Sequence, residues 1–197
     1  MNSLFESFKL MFEGLSIWGW IGQISGLIGF LIVLISFQCN KKNYCFLAGL
    51  SMILFLIEAA SSKASMANFM VCLVSLIRNL WMYFKIKKEK GELTNIEVWS
   101  LLISLWIGQI IYMIIFNGFG QVTSYFTPVT ATILTFLQNN KNYYIVKLGN
   151  LIQESGALAL FIICGLPFSI FRQIILVLSI IISVIIMLFK QKKLNKK

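Results

Sequence analysis

The sequence predicts an all-α membrane protein, with seven transmembrane helices set out as two parallel three-helix bundles joined by a linker helix (3+1+3). Three observations carry this. Apolar residues make up 58% of the chain and charged residues 12%, with a mean hydropathy of +0.84. The lysines fall on alternate loops. The stretch FQCNKKNY at 37–44 returns as FLQNNKNY at 136–143, with Phe, Asn, Lys, Asn and Tyr kept in place.

Residues 1–16 precede the first span. Glu6 and Glu13 stand there against a lone Lys9, with no basic start and no small-residue cleavage site, so a removed signal is not expected. Leu4, Phe5, Phe8, Phe12 and Leu15 recur at helical spacing, which suits a short interfacial helix. A frayed tail fits equally well.

A helix needs about 20 apolar residues to cross roughly 30 Å of hydrocarbon. Runs of that kind place spans at 17–37, 44–61, 65–85, 97–117, 121–138, 144–164 and 167–190. The first bundle is then 17–85, the linker helix 97–117, the second bundle 121–190, and 191–197 a basic tail. Span 1 sets Gly19, Gly22, Gly26 and Gly29 on one face, a surface another helix can approach closely. Span 5 surrounds Pro128 with Thr123, Thr127, Thr130, Thr132 and Thr135. Proline removes a backbone donor and threonine hydroxyls can serve the freed carbonyls, so a hinge and a static kink both fit there.

A net charge of +10 raises the question of nucleic acid. The cations are sorted by loop instead. Lys41, Lys42, Lys85, Lys87, Lys88, Lys90, Lys141, Lys147, Lys190, Lys192, Lys193, Lys196 and Lys197 fall on one side, and Lys9, Lys63 and Arg172 on the other. That bias predicts an external N-terminus and a cytoplasmic C-terminus. No basic patch interleaved with aromatics is left for DNA or RNA. Trp18, Trp20, Trp81 and Trp99 fall near span ends, where indoles anchor; Trp106 lies deeper.

Catalytic groups are scarce. The chain has no histidine, and Cys39, Cys45, Cys72 and Cys164 form no metal-binding spacing. No Ser/His/Asp set or aspartate pair is available, so neither an enzyme, a metal site nor a bound cofactor is expected.

The repeated word joins spans 1 and 2 and then spans 5 and 6, and YFKIKK (83–88) and LFKQKK (188–193) close spans 3 and 7. An odd linker span lets the two triplets point the same way, as parallel repeats about an axis along the membrane normal. Two like bundles enclose a crevice through which a solute can pass by small rocking motions. Two bundles that simply pack together are the alternative.

GQISGLIGFLIVLISFQCNKK (22–42), LIRN (76–79) and TPVTATILTFLQNN (127–140) resemble the YgjV-type family of bacterial inner-membrane proteins. That family is similar in architecture to the SWEET sugar facilitators and the PnuC vitamin transporters. The resemblance implies a 3+1+3 helical fold in a bacterial cytoplasmic membrane and movement of a small polar solute.

Polar residues inside spans mark a pathway or a structural pair, because a charge at bilayer depth costs several kcal/mol unless it faces protein or water. Glu58, Asn68, Arg78, Asn79, Asn150, Gln153 and Glu154 are the pathway candidates, with Pro128 as a hinge and Arg172 at a span edge. Counted from the inner span ends, Arg78 and Glu154 fall at equal depth, one in each triplet. The expectation is that they pair across the crevice. The expected function is a SWEET-like facilitator of a small polar solute, and the alternative is a non-transporting accessory or scaffold protein. The expected partners are that solute and the lipid bilayer, with a homo-oligomer left open.

Overall fold

The computed structural model describes residues 16–61, 68–89, 91–116, 123–163 and 167–194. Regular structure among them is helical: α1 (Ile17–Ser36), α2 (Lys41–Ser61), α3 (Phe69–Lys87), α4 (Asn95–Ile115), α5 (Thr123–Gln138), α6 (Tyr143–Ile163) and α7 (Pro167–Leu194). This is the expected all-α membrane architecture. The helices α1 to α4 and the Ile170–Phe189 stretch of α7 are long and apolar enough to cross a membrane. At 16 residues α5 rises only about 24 Å. The interfacial helix expected before Ser16 lies outside the described residues, as do Lys63, Cys164 and 195–197.

Local sequence explains where the helices start. Ser16 caps α1, accepting from the Gly19 backbone N–H at 3.1 Å. Both copies of the repeated word serve as helix starts: Asn40 Oδ1 accepts from Asn43 N at 3.0 Å, and Asn142 Oδ1 accepts from Tyr144 N at 3.0 Å. An asparagine carboxamide there satisfies a backbone donor that the first helical turn cannot. Because of the Asn40 cap, α2 begins at Lys41 rather than at 44, with Lys41 and Lys42 in its first turn. A capping box of Thr94 and Glu97 opens α4. The turn between α3 and α4 is made by Glu89 and Gly91, with φ of 56° and 78°, a left-handed conformation that glycine adopts freely.

The packing order builds a ring. In each triplet the second helix lies between the first and the third: α2 packs on α1 and α3, and α6 on α5 and α7. The triplets meet where α3 touches α5 and where α7 touches α1. The linker α4 leans on α3 and α5, with Ile103, Ile107, Ile110 and Ile114 exposed on its far side. Trp106 fastens it there, its indole N–H donating to Thr132 Oγ1 at 3.1 Å.

The surface is reversed relative to a protein folded in water. Ile24, Leu31, Ile35, Leu178 and Ile182 are exposed, while Ser36, Ser51, Asn79, Gln138 and Asn150 are buried. Lipid solvates the former, and the latter find hydrogen bonds inside. The glycine face of α1 packs as expected. A Cβ on Gly22 would lie 1.9 Å from Ser61 Oγ, and one on Gly26 2.4 Å from the Glu58 carboxylate.

Two contacts join the copies of the repeated word. Lys41 Nζ donates to the Asn140 carbonyl at 2.6 Å, and the rings of Tyr44 and Tyr143 lie 6.0 Å apart. In each pair the two residues hold the same place in the repeated word. A residue that touches its own equivalent lies close to the axis that would relate the two copies. Both loops therefore end on the same side of the ring, as a parallel repeat requires.

Candidate functional site

The half of the ring nearer the repeated loops holds a buried polar cluster. Arg78, in α3, is 2% exposed, and its Nη1 donates to Thr135 Oγ1 of α5 at 2.9 Å. Thr135 passes its own proton to the Ala131 carbonyl at 2.7 Å, so its lone pairs face the guanidinium. Beside Arg78, Asn79 Oδ1 accepts from Gln138 Nε2 at 2.7 Å. Across the ring, the Tyr44 hydroxyl donates to Asn150 Oδ1 at 2.7 Å, and Asn150 Nδ2 bonds the Val146 carbonyl at 3.1 Å. These bonds join α2 and α3 of the first triplet to α5 and α6 of the second. Buried in low dielectric, such polar groups rigidify an interior when satisfied and are costly when they are not.

Several are not satisfied within the protein. Arg78 Nε, Gln138 Oε1, Tyr143 Oη and Gln153 Oε1 are buried with no hydrogen-bond partner. Two of these are donors or can donate, and two are carbonyl oxygens that only accept.

At the end of the ring that carries the repeated loops, three segments are tied together. Besides Asn140, Lys41 meets Glu92 Oε1 at 3.3 Å. Asn139 grips the connecting segment with both ends of its carboxamide, accepting from Leu93 N at 2.7 Å and donating to Leu93 O at 2.8 Å. Lys85 pairs with Glu97. On the other flank, Lys147 is 3% exposed, and its ammonium donates to the Phe37 carbonyl at 2.9 Å and to Ser183 Oγ. Lys147, expected among the inner-loop cations, is thus an interior residue of α6.

In the half of the ring away from the repeated loops, an ion pair among the described residues joins the triplets. Arg172 Nη1 lies 3.0 Å from Glu58 Oε1 and 3.4 Å from Oε2, and the guanidinium sits 5.7 Å from the Phe55 ring centre. Arg172, expected to be an outer-loop cation, is paired inside the ring. Asn68 precedes α3, half-buried, and makes no capping bond. Pro128 is fully buried within α5, and the Thr130 hydroxyl lies 3.1 Å from the carbonyls of both Phe126 and Thr127.

The expected Arg78–Glu154 pair is not formed. Among the described residues no ion pair joins them, and Glu154 instead accepts from the side chain of Gln173, whose Nε2 also reaches the Glu154 carbonyl at 3.0 Å. Ring order is the reason. The neighbour of α3 across the interface is α5, so Arg78 turns to Thr135, while Glu154 turns to α7 within its own triplet. Depth is not what separates them: Arg78 lies nine residues, about 14 Å, from the end of α3, and Glu154 lies eleven residues, about 16 Å, into α6.

Of the residues singled out from sequence, Arg78, Asn79 and Asn150 come together, Glu58 pairs at the opposite end, and Glu154 bonds within its own bundle. Tyr44, Thr135, Gln138 and Tyr143 were not singled out as site residues. Three of them lie in the repeated word, whose recurrence was the available signal. Compared with family models, with curated proteins and with solved structures, the chain matches none.

Proposed function

We propose that the chain is a facilitator that moves a small polar solute through the ring by rocking one triplet against the other. The observation that supports this reading is the buried polar cluster of Arg78, Asn79, Gln138 and Asn150 at the boundary between the two triplets. A bundle that only had to pack would fill that boundary with apolar side chains, because an incompletely bonded polar group in hydrocarbon costs several kcal/mol. Contacts at both ends fit alternating closure. Tyr44 and Tyr143 lie with the Lys41–Asn140 contact inside, and the Glu58–Arg172 pair lies outside. The lysine bias supports a cytoplasmic membrane with the repeated loops facing the cytoplasm, and the resemblance to the YgjV-type proteins supports a bacterial one.

The second reading is a non-transporting accessory or scaffold protein. It is favoured by the number of bonds that tie the cytoplasmic ends together, including both from Asn139 to Leu93. Uptake into proteoliposomes separates the two. The facilitator should bring at least one member of a panel of sugars, nucleosides, amino acids, organic acids and vitamins to equal concentration on both sides, without ATP. If every solute enters no faster than into protein-free vesicles, the facilitator reading fails.

A further inference from the structure

Among the described residues, no carboxylate pairs with the cation at the centre of this cluster. Arg78 is 2% exposed, its one side-chain bond shown goes to a neutral hydroxyl, and its Nε–H points to no acceptor. A guanidinium carries five N–H donors in a rigid fork and stays charged in proteins. Burying it with neutral partners alone is costly, and the usual remedy is a carboxylate within the protein. The two intramembrane carboxylates are engaged elsewhere: Glu58 with Arg172, and Glu154 with Gln173. The positions around Arg78 offer hydroxyl and amide groups instead: Thr135, Asn79, Gln138 and, through Tyr44, Asn150 and Tyr143.

We infer that the solute is a small organic carboxylate, and that its carboxylate docks on Arg78 between α3 and α5. This rests on the facilitator reading for the word solute, but binding itself does not require transport. The carboxylate accepts from Nε–H and a free terminal N–H of Arg78, the bidentate geometry for which the guanidinium is shaped. Tyr143 Oη, also unpartnered and buried, can add a neutral donor from the second triplet. The unpartnered Gln138 Oε1 and Gln153 Oε1 accept from a hydroxyl or ammonium on the same solute, so hydroxy acids and amino acids fit better than simple fatty acids. A single buried cation matches a monoanionic group. Phosphate, which carries more charge and oxygens, would ask for further cations at the site.

The test is equilibrium binding to the purified full chain in nanodiscs, read as thermal stabilisation and as competition. The probes are lactate, glycine and glutamate against lactamide, glycinamide and glutamine amide, with inorganic phosphate as a separate arm. At least one acid should bind about tenfold or more tightly than its amide, the scale set by exchanging a charge-assisted for a neutral hydrogen bond. Arg78→Gln should abolish that preference and Arg78→Lys should retain part of it. Acid and amide binding equally well to the unaltered protein overturns the inference without any variant, as does phosphate binding with no carboxylate binding. The two readings fail separately. Uptake of a neutral solute that persists in Arg78→Gln keeps the facilitator and rejects the carboxylate. Arg78-dependent carboxylate binding with no uptake of any solute does the reverse.

Discussion

Replacing Gly26 by alanine should change sign with its surroundings. A methyl group at Gly26 would lie 2.4 Å from both Cδ and Oε2 of Glu58 and 2.7 Å from Oε1. Something must move, and the carboxylate is the flexible element. It is also the group that Arg172 holds at 3.0 Å, with the two side chains only 15% and 19% exposed. Displacing it costs a charge-assisted contact between triplets, about 1.5–3 kcal/mol. Against this, alanine in a helix interior is favoured over glycine by about 1 kcal/mol. The net expectation for Gly26→Ala is a loss of about 0.5–2 kcal/mol, or a fall of a few degrees in melting temperature for a chain of this size. In a Glu58→Ala background the obstruction is gone and only the helix preference is left. The same Gly26→Ala change should then stabilise by about 1 kcal/mol. Thermal unfolding of the two single variants and the double variant in one detergent measures the cycle. Equal effects of Gly26→Ala in both backgrounds would refute the steric route to the ion pair, since coupled neighbours must depart from additivity.

Other substitutions probe the remaining contacts. Thr135→Val keeps the shape of the side chain but leaves Arg78 Nη1 without its acceptor, so it should cost about 1–3 kcal/mol in denaturant unfolding while Thr135→Ser costs little; a valine variant as stable as the serine one would show the bond to be idle. Cysteines replacing Tyr44 and Tyr143, in a chain whose four native cysteines are changed to serine, should cross-link with a short bifunctional reagent and halt uptake. Ready cross-linking with uptake undiminished would mean that the inner ends never part. Reporter fusions at Asn2 and Lys197 should report opposite sides of the membrane, the latter cytoplasmic; both on one side would contradict seven crossings.

The helices were legible because lipid imposes a length and a polarity on each span, and this chain obeys both almost everywhere. Their ends were less so. Lys41 and Lys42 read as loop by charge, yet the carboxamide of Asn40 starts the helix before them. Within the site, the cost of placing polar groups at bilayer depth was enough to single out Arg78, Asn79 and Asn150. Its partner was not legible, because equal depth in two helices says nothing about which helices are neighbours. That depends on the ring order, which is set by packing among residues far apart in sequence. Tyr44, Tyr143 and Gln138 were visible only as members of a repeated word, so they served as evidence of topology and not of a site. Lys147 shows the same limit from the other side. A lysine one turn into a span reads as a surface charge, although its long stem carries the ammonium inward to Ser183 and the Phe37 carbonyl.

The contact between Lys41 and Asn140 has a consequence for how this chain can be assembled. In a dimer of two identical three-helix units, whatever stands on the axis faces its own copy. Two copies of the first unit would set Lys41 against Lys41, ammonium to ammonium. Two copies of the second would set asparagine against asparagine, with no lysine to bind the neighbouring carbonyl. Glu92, the carboxylate that meets Lys41 at 3.3 Å, belongs to the connecting segment and is present once per chain. Co-expressed halves of this protein should therefore select each other over themselves. Joining them in one chain has made the two faces of the boundary chemically unequal, with Arg78 on one side and Gln138 and Asn150 on the other, so the proposed solute would meet a fixed orientation rather than a symmetric choice of two.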